Sequence, residues 1–342
     1  MKITAQWIAE QCGVSRGTVD RVVNGRPNVA PAVRERVQKV IREYGYTTPA
    51  QRHALRAEGD CRIGVLLPCL DTLLIRKMRE GLRLAVRQCG AADVNLWVEE
   101  LKSRSHRSYF EAIGRMEEKG VGGLIVAAPD TVAMAEEIDR LAGHGVPVVA
   151  CCADVRRSGR LCYVGEDAAK ASRIAGRIMG EFLGGAGEIA VITSTSAMRT
   201  GTYFLKVRET GFQGYMAENF PGIHIVESVP SLENPTMTYQ MTLGLLRRQP
   251  ELRGVYVVGG GVREVGRAIR ETGCGGRLKV VCFEDYPEIL ELLRENIVTC
   301  TINSDTVRQG ELPVRILIDY LMQDERPAEN VYIPGQILVR EC

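Results

Sequence analysis

Arg16 and Arg21 lie on a short stretch, Ser15-Arg16-Gly17-Thr18-Val19-Asp20-Arg21-Val22-Val23-Asn24, whose apolar residues fall on the opposite side. A guanidinium is a planar fork of donors, so it suits a phosphate or the O6 and N7 edge of a guanine. Ser15 is placed to cap a helix, which leaves the first backbone N–H groups and the helix dipole facing any negative charge that approaches. Gly17 permits close backbone approach, and Thr18 adds a hydroxyl on the same outer face. That chemistry is recognition of an anionic polymer rather than bond making.

Short helices must present these groups. Thr4 to Gln11 reads as a first helix, Cys12-Gly13-Val14 as a tight turn, and Ser15 to Asn24 as a second helix. Ile8, Ala9, Val19, Val22 and Val23 recur at near-helical spacing and can close a small core. A third helix is expected from Pro31 to Tyr44, with proline in its first turn and Val33, Val37, Val40 and Ile41 inward. The arrangement is a helix-turn-helix, whose second helix fits a major groove. Residues 1–60 hold ten Lys or Arg against six Asp or Glu, while the remainder holds 34 against 36. Segregated positive charge is what phosphate neutralisation needs, although charge alone would equally describe a solvated helical face.

Residues 47–60 form a linker. Ala50 to Ala57 contains good helix formers but is too short to hold a helix alone in water. Docked on DNA, it would drive Leu55 into the minor groove as a wedge and bring Arg52 or Arg56 to phosphates. The alternative is a solvated tether with Leu55 packed on its neighbouring domain.

From Arg62 onward apolar strands alternate with amphipathic helices. Strands are expected at 62–68, 95–99, 123–127, 147–151, 188–193, 224–229, 254–258, 278–283 and 298–302, with helices at 73–89 and 104–119 among those between them. Short continuous apolar runs separated by helices indicate parallel strands covered on both faces. Two such series, one ending near Tyr163 and one starting near Glu188, give two doubly wound α/β lobes with a ligand site between their strand ends. With 342 residues and 45% hydrophobic composition, the chain has room for two or three domains.

The eleven cysteines lack paired C-x-x-C spacing, and Cys151-Cys152 is no metal knuckle, so reduced thiols and no metal are expected. No apolar stretch approaches about 18 residues, and no export signal is seen at the start, so a cytoplasmic protein without a membrane partner is expected. His53, His106, His144 and His224 are dispersed, with no catalytic or zinc spacing. Gly259-Gly260-Gly261 with Gly266 fails the dinucleotide fingerprint, and Gly184 to Gly187 lacks the lysine of a phosphate loop. No enzyme activity and no cofactor are therefore expected.

Val14 to Arg26, Asn28-Val29 and Glu43-Tyr44-Gly45-Tyr46 resemble the head of the lactose-repressor (LacI/GalR-type) family of bacterial transcription regulators. Arg208 to Phe212, Val280 to Asp285 and Gln309-Gly310 resemble that family's type I periplasmic-binding-protein body, closest to its ribose-binding branch. The resemblance implies that Arg16 and Gly17 occupy the two base-reading positions, with Arg16 the base contact and Gly17 allowing close backbone approach, and that Arg21 meets a base or a phosphate. Thr18, Asn24 and Asn28 would meet the backbone, with Thr4 and Ser15 beside them, and Leu55 would be the intercalating leucine. Asp20 stands where the family often has serine.

In the body, the resemblance puts the effector between the lobes, near Thr72, Leu74, Ile75, Cys152, Arg208, Glu233, Gly260, Glu284 and Ser304. Thr72, Leu74 and Ile75 take the place of an asparagine and two stacking aromatics. Arg208 matches a ligand-anchoring arginine, and Glu284 replaces an aspartate that accepts from ligand hydroxyls. Without a stacking surface a bare pyranose is disfavoured. A modified sugar, a polyol, or a ligand whose carboxylate or phosphate Arg208 grips fits better. Alternatively Arg208 and Glu284 form an interlobe ion pair, and Glu233 is a solvated charge at a helix start.

The expected organisation is thus a head at 1–46, a hinge at 47–60 and an effector-binding and dimerisation body at 61–342. One lobe would combine about 61–163 with 287–320, and the other 164–286 with 321–342. The function that the resemblance implies is a transcription regulator of the repressing kind, with duplex operator DNA, a sugar-like effector and a second copy as partners. A transport solute-binding protein, or a small-molecule enzyme on the same fold, are the rival readings.

Overall fold

The computed structural model describes residues 5–23, 26–44, 60–68, 73–88, 93–103, 105–193, 203–231 and 234–342. Thr4, Asn24, Leu55, Thr72 and Glu233 lie outside these residues, as does the hinge up to residue 59.

The head has three helices, α1 (Ala5–Cys12), α2 (Arg16–Val23) and α3 (Pro31–Tyr44). Ile8, Ala9, Cys12, Val19, Val22 and Val37 are its buried core, with Val23, Val33, Val40 and Ile41 packed around them. Gly13, at a φ of 59°, makes the left-handed turn between α1 and α2 that a side chain would resist.

In the body the chain runs β1 (Asp60–Leu67), α4 (Leu73–Gln88), β2 (Asp93–Glu100), α5 (His106–Glu118), β3 (Gly123–Val126), α6 (Val132–Gly143), β4 (Val148–Cys151) and β5 (Cys162–Gly165). It continues as α7 (Ala168–Leu183), β6 (Ala186–Thr193), α8 (Tyr203–Asn219), β7 (Gly222–Pro230), α9 (Pro235–Arg248), β8 (Gly254–Val257), α10 (Val262–Thr272) and β9 (Lys279–Phe283). Then follow α11 (Pro287–Arg294), β10 (Cys300–Asn303), α12 (Thr306–Ile318), β11 (Asn330–Tyr332) and β12 (Gln336–Leu338). One sheet has the order β11-β5-β4-β3-β1-β2 and is parallel; the other has the order β12-β10-β9-β8-β6-β7, parallel except for β12. Strands β3, β4, β5, β8 and β10 are buried at every position, as helices on both faces require.

The chain passes between the sheets at 165–168, 303–306 and 332–336. This corrects the expected division of the lobes. β10 pairs with β9 in the second sheet, and α11 buries Ile289, Leu292 and Leu293 in that lobe's core, so 287–303 does not belong to the first lobe. Conversely β11 pairs with β5, which returns 330–332 to the first. These short strands carry no local mark of their sheet, because long-range pairing alone decides it.

Helix α12 returns to the first lobe after the second crossing and lies against α4 at backbone distance. A Cβ on Gly81 would sit 1.9 Å from the Val307 carbonyl oxygen, and one on Gly310 would sit 2.1 Å from that of Met78. Backbone cannot move aside as a side chain can. Gly81→Ala and Gly310→Ala should therefore each destabilise the body by about 2–3 kcal/mol in denaturant titrations, the usual cost of overpacking. Gly214→Ala, in the same kind of helix but with open space at its Cβ, should instead stabilise by about 0.5–1 kcal/mol. Equal effects at the three positions would contradict the close approach.

Candidate functional site

The Ser15 side chain caps α2: its Oγ accepts from the Thr18 backbone N–H at 3.1 Å and shares a hydrogen bond with Thr18 Oγ1 at 2.9 Å. The Thr18 hydroxyl is thus turned toward the cap. Arg16, Gly17 and Arg21 remain exposed on the side of α2 away from Val19 and Val22. Asp20, the negative charge on this otherwise basic face, is paired with Arg26 at 3.5 Å. Arg34 in turn donates to the Arg26 carbonyl at 2.6 Å. Asn28 is exposed with a φ of 68°, a left-handed conformation that asparagine tolerates better than most residues.

Between the lobes, Arg208 on α8 is only 4% exposed. Its Nε and Nη2 donate to Glu166 Oε1 and Oε2 at 2.8 and 2.7 Å, a two-pronged pair, and its Nη1 donates to the Val258 carbonyl at 3.1 Å. Its flat face stands 3.6 Å from the centre of the Phe283 ring. Burial works against the charge, but Glu166 outweighs it and holds the guanidinium above its ordinary range.

Glu166 directly follows β5, while α8 packs in the second lobe, so this pair spans the first crossing. Arg208 and Glu284 both belong to the second lobe and lie 3.7 Å apart. The interlobe ion pair is therefore made with Glu166 and not with Glu284. Two further contacts bridge the lobes. Lys77 on α4 pairs with Asp285 just after β9, and Arg156 stacks at 3.2 Å on the ring of Tyr203 at the start of α8.

Glu284 takes a left-handed φ of 76°. Its N–H donates to the Ile302 carbonyl at 3.0 Å, and its own carbonyl accepts from Thr301 Oγ1 at 2.6 Å. These bonds fix the direction of its side chain. Oε2 is buried and accepts no hydrogen bond from any described residue. Burial raises the carboxyl above its ordinary value, Arg208 opposes this, and the charges of Glu166 and Asp285 add to it. Cys152, also left-handed at a φ of 59°, lies with its Sγ 3.3 Å from Met78 Sδ. Its contact with Cys151, followed by burial, pushes the thiol well above its usual value, so it is no thiolate nucleophile.

Ile75 is packed in the first lobe's core, at 3% exposure, and does not line the cleft as expected. The helical period turns it inward, and Leu74 beside it is half-buried. Ser304 is buried at the second crossing, where Gln309 Nε2 donates to its Oγ at 2.9 Å and to its carbonyl at 3.1 Å. Gly260 is exposed beyond the end of β8, with open space at its Cβ position. Sequence reasoning missed Glu166, Lys77 and Asp285. Glu166 stands between a short strand and Asp167, whose side chain caps α7 by accepting from Lys170 N at 3.0 Å, a setting that many acids beside helix starts share.

On the first lobe's outer side, Arg79, Leu82, Arg83, Val86 and Arg87 of α4 and Leu96 and Val98 of β2 line a groove of about 480 Å³. Strand β2 is the edge of its sheet, and Trp97 on it is exposed beneath Lys119 Nζ, 4.4 Å from the ring centre. No group of residues suited to a metal ion occurs among the described residues.

Residues 63–325 match the periplasmic binding protein domain family, and residues 5–49 match the bacterial regulatory proteins of the lacI family. Catabolite control protein A of Priestia megaterium is 33% identical over 82 residues, which is 24% of this chain and 25% of that protein. The HTH-type transcriptional regulator MalR of Streptomyces coelicolor is 29% identical over 145 residues, which is 42% of this chain and 40% of that one. The chain thus matches between a quarter and two fifths of these relatives' length. A solute-binding protein of Burkholderia graminis in complex with D-arabinose aligns with a TM-score of 0.74 at 22% identity, over 82% of this chain and 95% of that one. A putative LacI transcriptional regulator from Bacteroides fragilis gives 0.74 at 19% identity, over 82% and 98%. At these identities the likeness is one of fold.

Two measurements check the geometry between the lobes. Glu166→Gln leaves a buried guanidinium without its carboxylate and should destabilise the body by about 3–5 kcal/mol. A loss below about 1 kcal/mol would mean that the pair is loosely held. Because Glu284 titrates above its unfolded value, the stability tied to it is full below the unfolded carboxylate range and is lost as pH rises through the raised folded value. The groups facing it are Arg208 on α8, Glu166 after β5, Asp285 and Tyr286 beside it, and Cys152 after β4. Glu284→Gln should accordingly raise the melting temperature more at about pH 8 than at about pH 5. A gain independent of pH would refute this origin.

Proposed function

We propose that this chain, which belongs to the periplasmic binding protein domain family and carries a lacI-family head, is a transcription regulator that binds duplex DNA through α2. Its affinity for an operator is set by a small polar metabolite held between the two lobes. One observation carries the reading: a basic, capped helix with Arg16, Gly17 and Arg21 exposed is joined in one chain to a two-lobed body whose facing ends gather opposed charges. Solute-binding proteins share the body's fold, but the head has no use in carrying a solute.

In this reading Arg16 reads a guanine edge, Arg21 a base or a phosphate, and the cap at Ser15 presents the helix start to the backbone. Thr4, Thr18, Asn24 and Asn28 flank it, and Leu55 is the wedge that opens the minor groove. The arabinose in the Burkholderia neighbour supports a hydroxyl-bearing ligand here. Arg208, Glu284, Cys152, Leu74, Gly260 and Ser304, with Thr72 and Glu233, stand as its candidate surroundings. Such a ligand favours whichever lobe orientation gives it the better contacts, and a change in orientation alters how two heads address a pseudo-palindromic site. Linkage makes the effect reciprocal, so a ligand that weakens operator binding is itself weakened by the operator.

The groove on α4 and β2 supports a homodimer, since its apolar floor and its arginine rim, beside the last strand of the sheet, call for a complementary surface. The cell compartment that holds the DNA is where such a protein acts, and no described helix is long and apolar enough to cross a membrane. Catalysis plays no part in this reading.

Selection of genomic fragments on the purified protein at low ionic strength tests the proposal, which expects a few fragments sharing an inverted repeat. Arg16→Ala should cost about 1–3 kcal/mol at such a fragment and relax preference at one base position. Uniform weakening on all sequences would make Arg16 a phosphate contact, and no retained fragment at all would overturn DNA binding.

A further inference from the structure

We infer that the ligand taken between the lobes carries a protonated amine on a small hydroxyl-bearing frame, and that Glu284 Oε2 receives it. The inference rests on the effector reading above and names the ligand's charge.

The arginine at this site already gives three of its five N–H donors to described residues. Its Nε and Nη2 face Glu166 at 2.8 and 2.7 Å, its Nη1 faces Val258, and Phe283 covers its flat side at 3.6 Å. A ligand carboxylate or phosphate would have to compete with a carboxylate that holds the fork in its best two-pronged geometry. That argues against the anionic ligand which Arg208 alone suggests.

Charge matching then singles out one group. Glu166 is matched by Arg208, and Asp285 by Lys77. Glu284 is the third carboxylate among the described residues of the cluster, and the nearest described cation is an Arg208 nitrogen 3.7 Å from Oε1, which already gives one of its two protons to Glu166. Its Oε2 is buried without a donor among the described residues, and buried acceptors left so are rare in folded proteins. The backbone is held in a left-handed conformation unusual for glutamate by hydrogen bonds at both its N–H and its carbonyl, so the fold spends conformational strain on aiming this side chain.

A neutral hydroxyl would satisfy the oxygen as a hydrogen bond but would leave the described members of the cluster one negative charge in excess. An ammonium does both. Burial and the neighbouring acids disfavour the Glu284 charge in the ligand-free body, and a cation at Oε2 reverses that balance.

The test uses the full chain and two sets of small molecules, each on one frame and differing in one group. Glucamine, sorbitol and gluconate carry an ammonium, a hydroxyl and a carboxylate on an open chain; glucosamine, glucose and glucuronate do so on a ring. Thermal shift and calorimetry at neutral pH should show one of the amines binding about tenfold more tightly than its hydroxyl counterpart, as one added charge-assisted contact gives. The carboxylate of that frame should bind most weakly. In Glu284→Gln the advantage of the amine over the hydroxyl should vanish. Equal binding of amine and hydroxyl, preference for the carboxylate, an amine preference that survives Glu284→Gln, or no shift with any of the six would each overturn the inference. Fragment retention measured on the same preparations separates the two claims: if retention persists while the amine preference fails, only the ligand's charge has been misassigned.

Discussion

Arg208 is a permanent charge with 4% of its surface exposed, and a guanidinium cannot shed its proton to escape burial. The protein around it is arranged by that constraint. A carboxylate must stand within hydrogen-bond distance, so Glu166 must follow β5 where it does. Because α8 belongs to the second lobe and β5 to the first, meeting the need of one side chain sets how the lobes face one another. Val258 and Phe283, at the ends of neighbouring second-sheet strands, complete the enclosure.

The same constraint distinguishes the lobe contacts. Glu166 sits in the crossing itself, next to the residue that caps α7, so it is tied covalently close to both lobes and the fork can persist through a change of angle. Lys77 and Asp285 are anchored far apart in the chain, and their side chains are 22% and 24% exposed. Partly solvated pairs of that kind contribute little, about 1 kcal/mol or less. The contact of Arg156 with Tyr203 is likewise made between elements remote in sequence. Among the described residues the lobes thus have a strong joint at the crossing and weak latches beside it, so that, on the proposed function, a ligand would need only modest differential contact to move the balance. The backbone contact of α4 with α12 makes the first lobe a closely packed unit.

Much of this was legible in the sequence where the information is local. The head was read almost to the residue, because helical spacing, a serine cap and a glycine turn are short-range signals. Cys12 was the core member it did not include. The strands of both sheets were found from their apolar runs, except β5 (Cys162–Gly165) and the short β11 and β12 near the chain's end. Lobe membership was not legible: β10 and β11 are a few residues each, and their sheets are chosen by partners far away in the chain. The site shows the same limit. Arg208 and Glu284 were found by resemblance, but Glu166 resembles any acid beside a helix start, and only the fold shows that it faces an arginine 42 residues further on.

The departure at Asp20 and the choice of Glu284 are alike in kind. Each is a carboxylate in a setting that would otherwise attract an anion, and each is understood by asking what already answers it. Asp20 is answered by Arg26 on an exposed surface, where pairing costs little and the net charge of the reading face remains positive. Glu284 is enclosed, its nearest described arginine is shared with Glu166, and Oε2 has no donor among the described residues. Exposure separates the two cases. A solvated acid adjusts to its neighbours with water's help, whereas a buried one must be met by a specific donor, which is why the second and not the first bears on what the cleft selects.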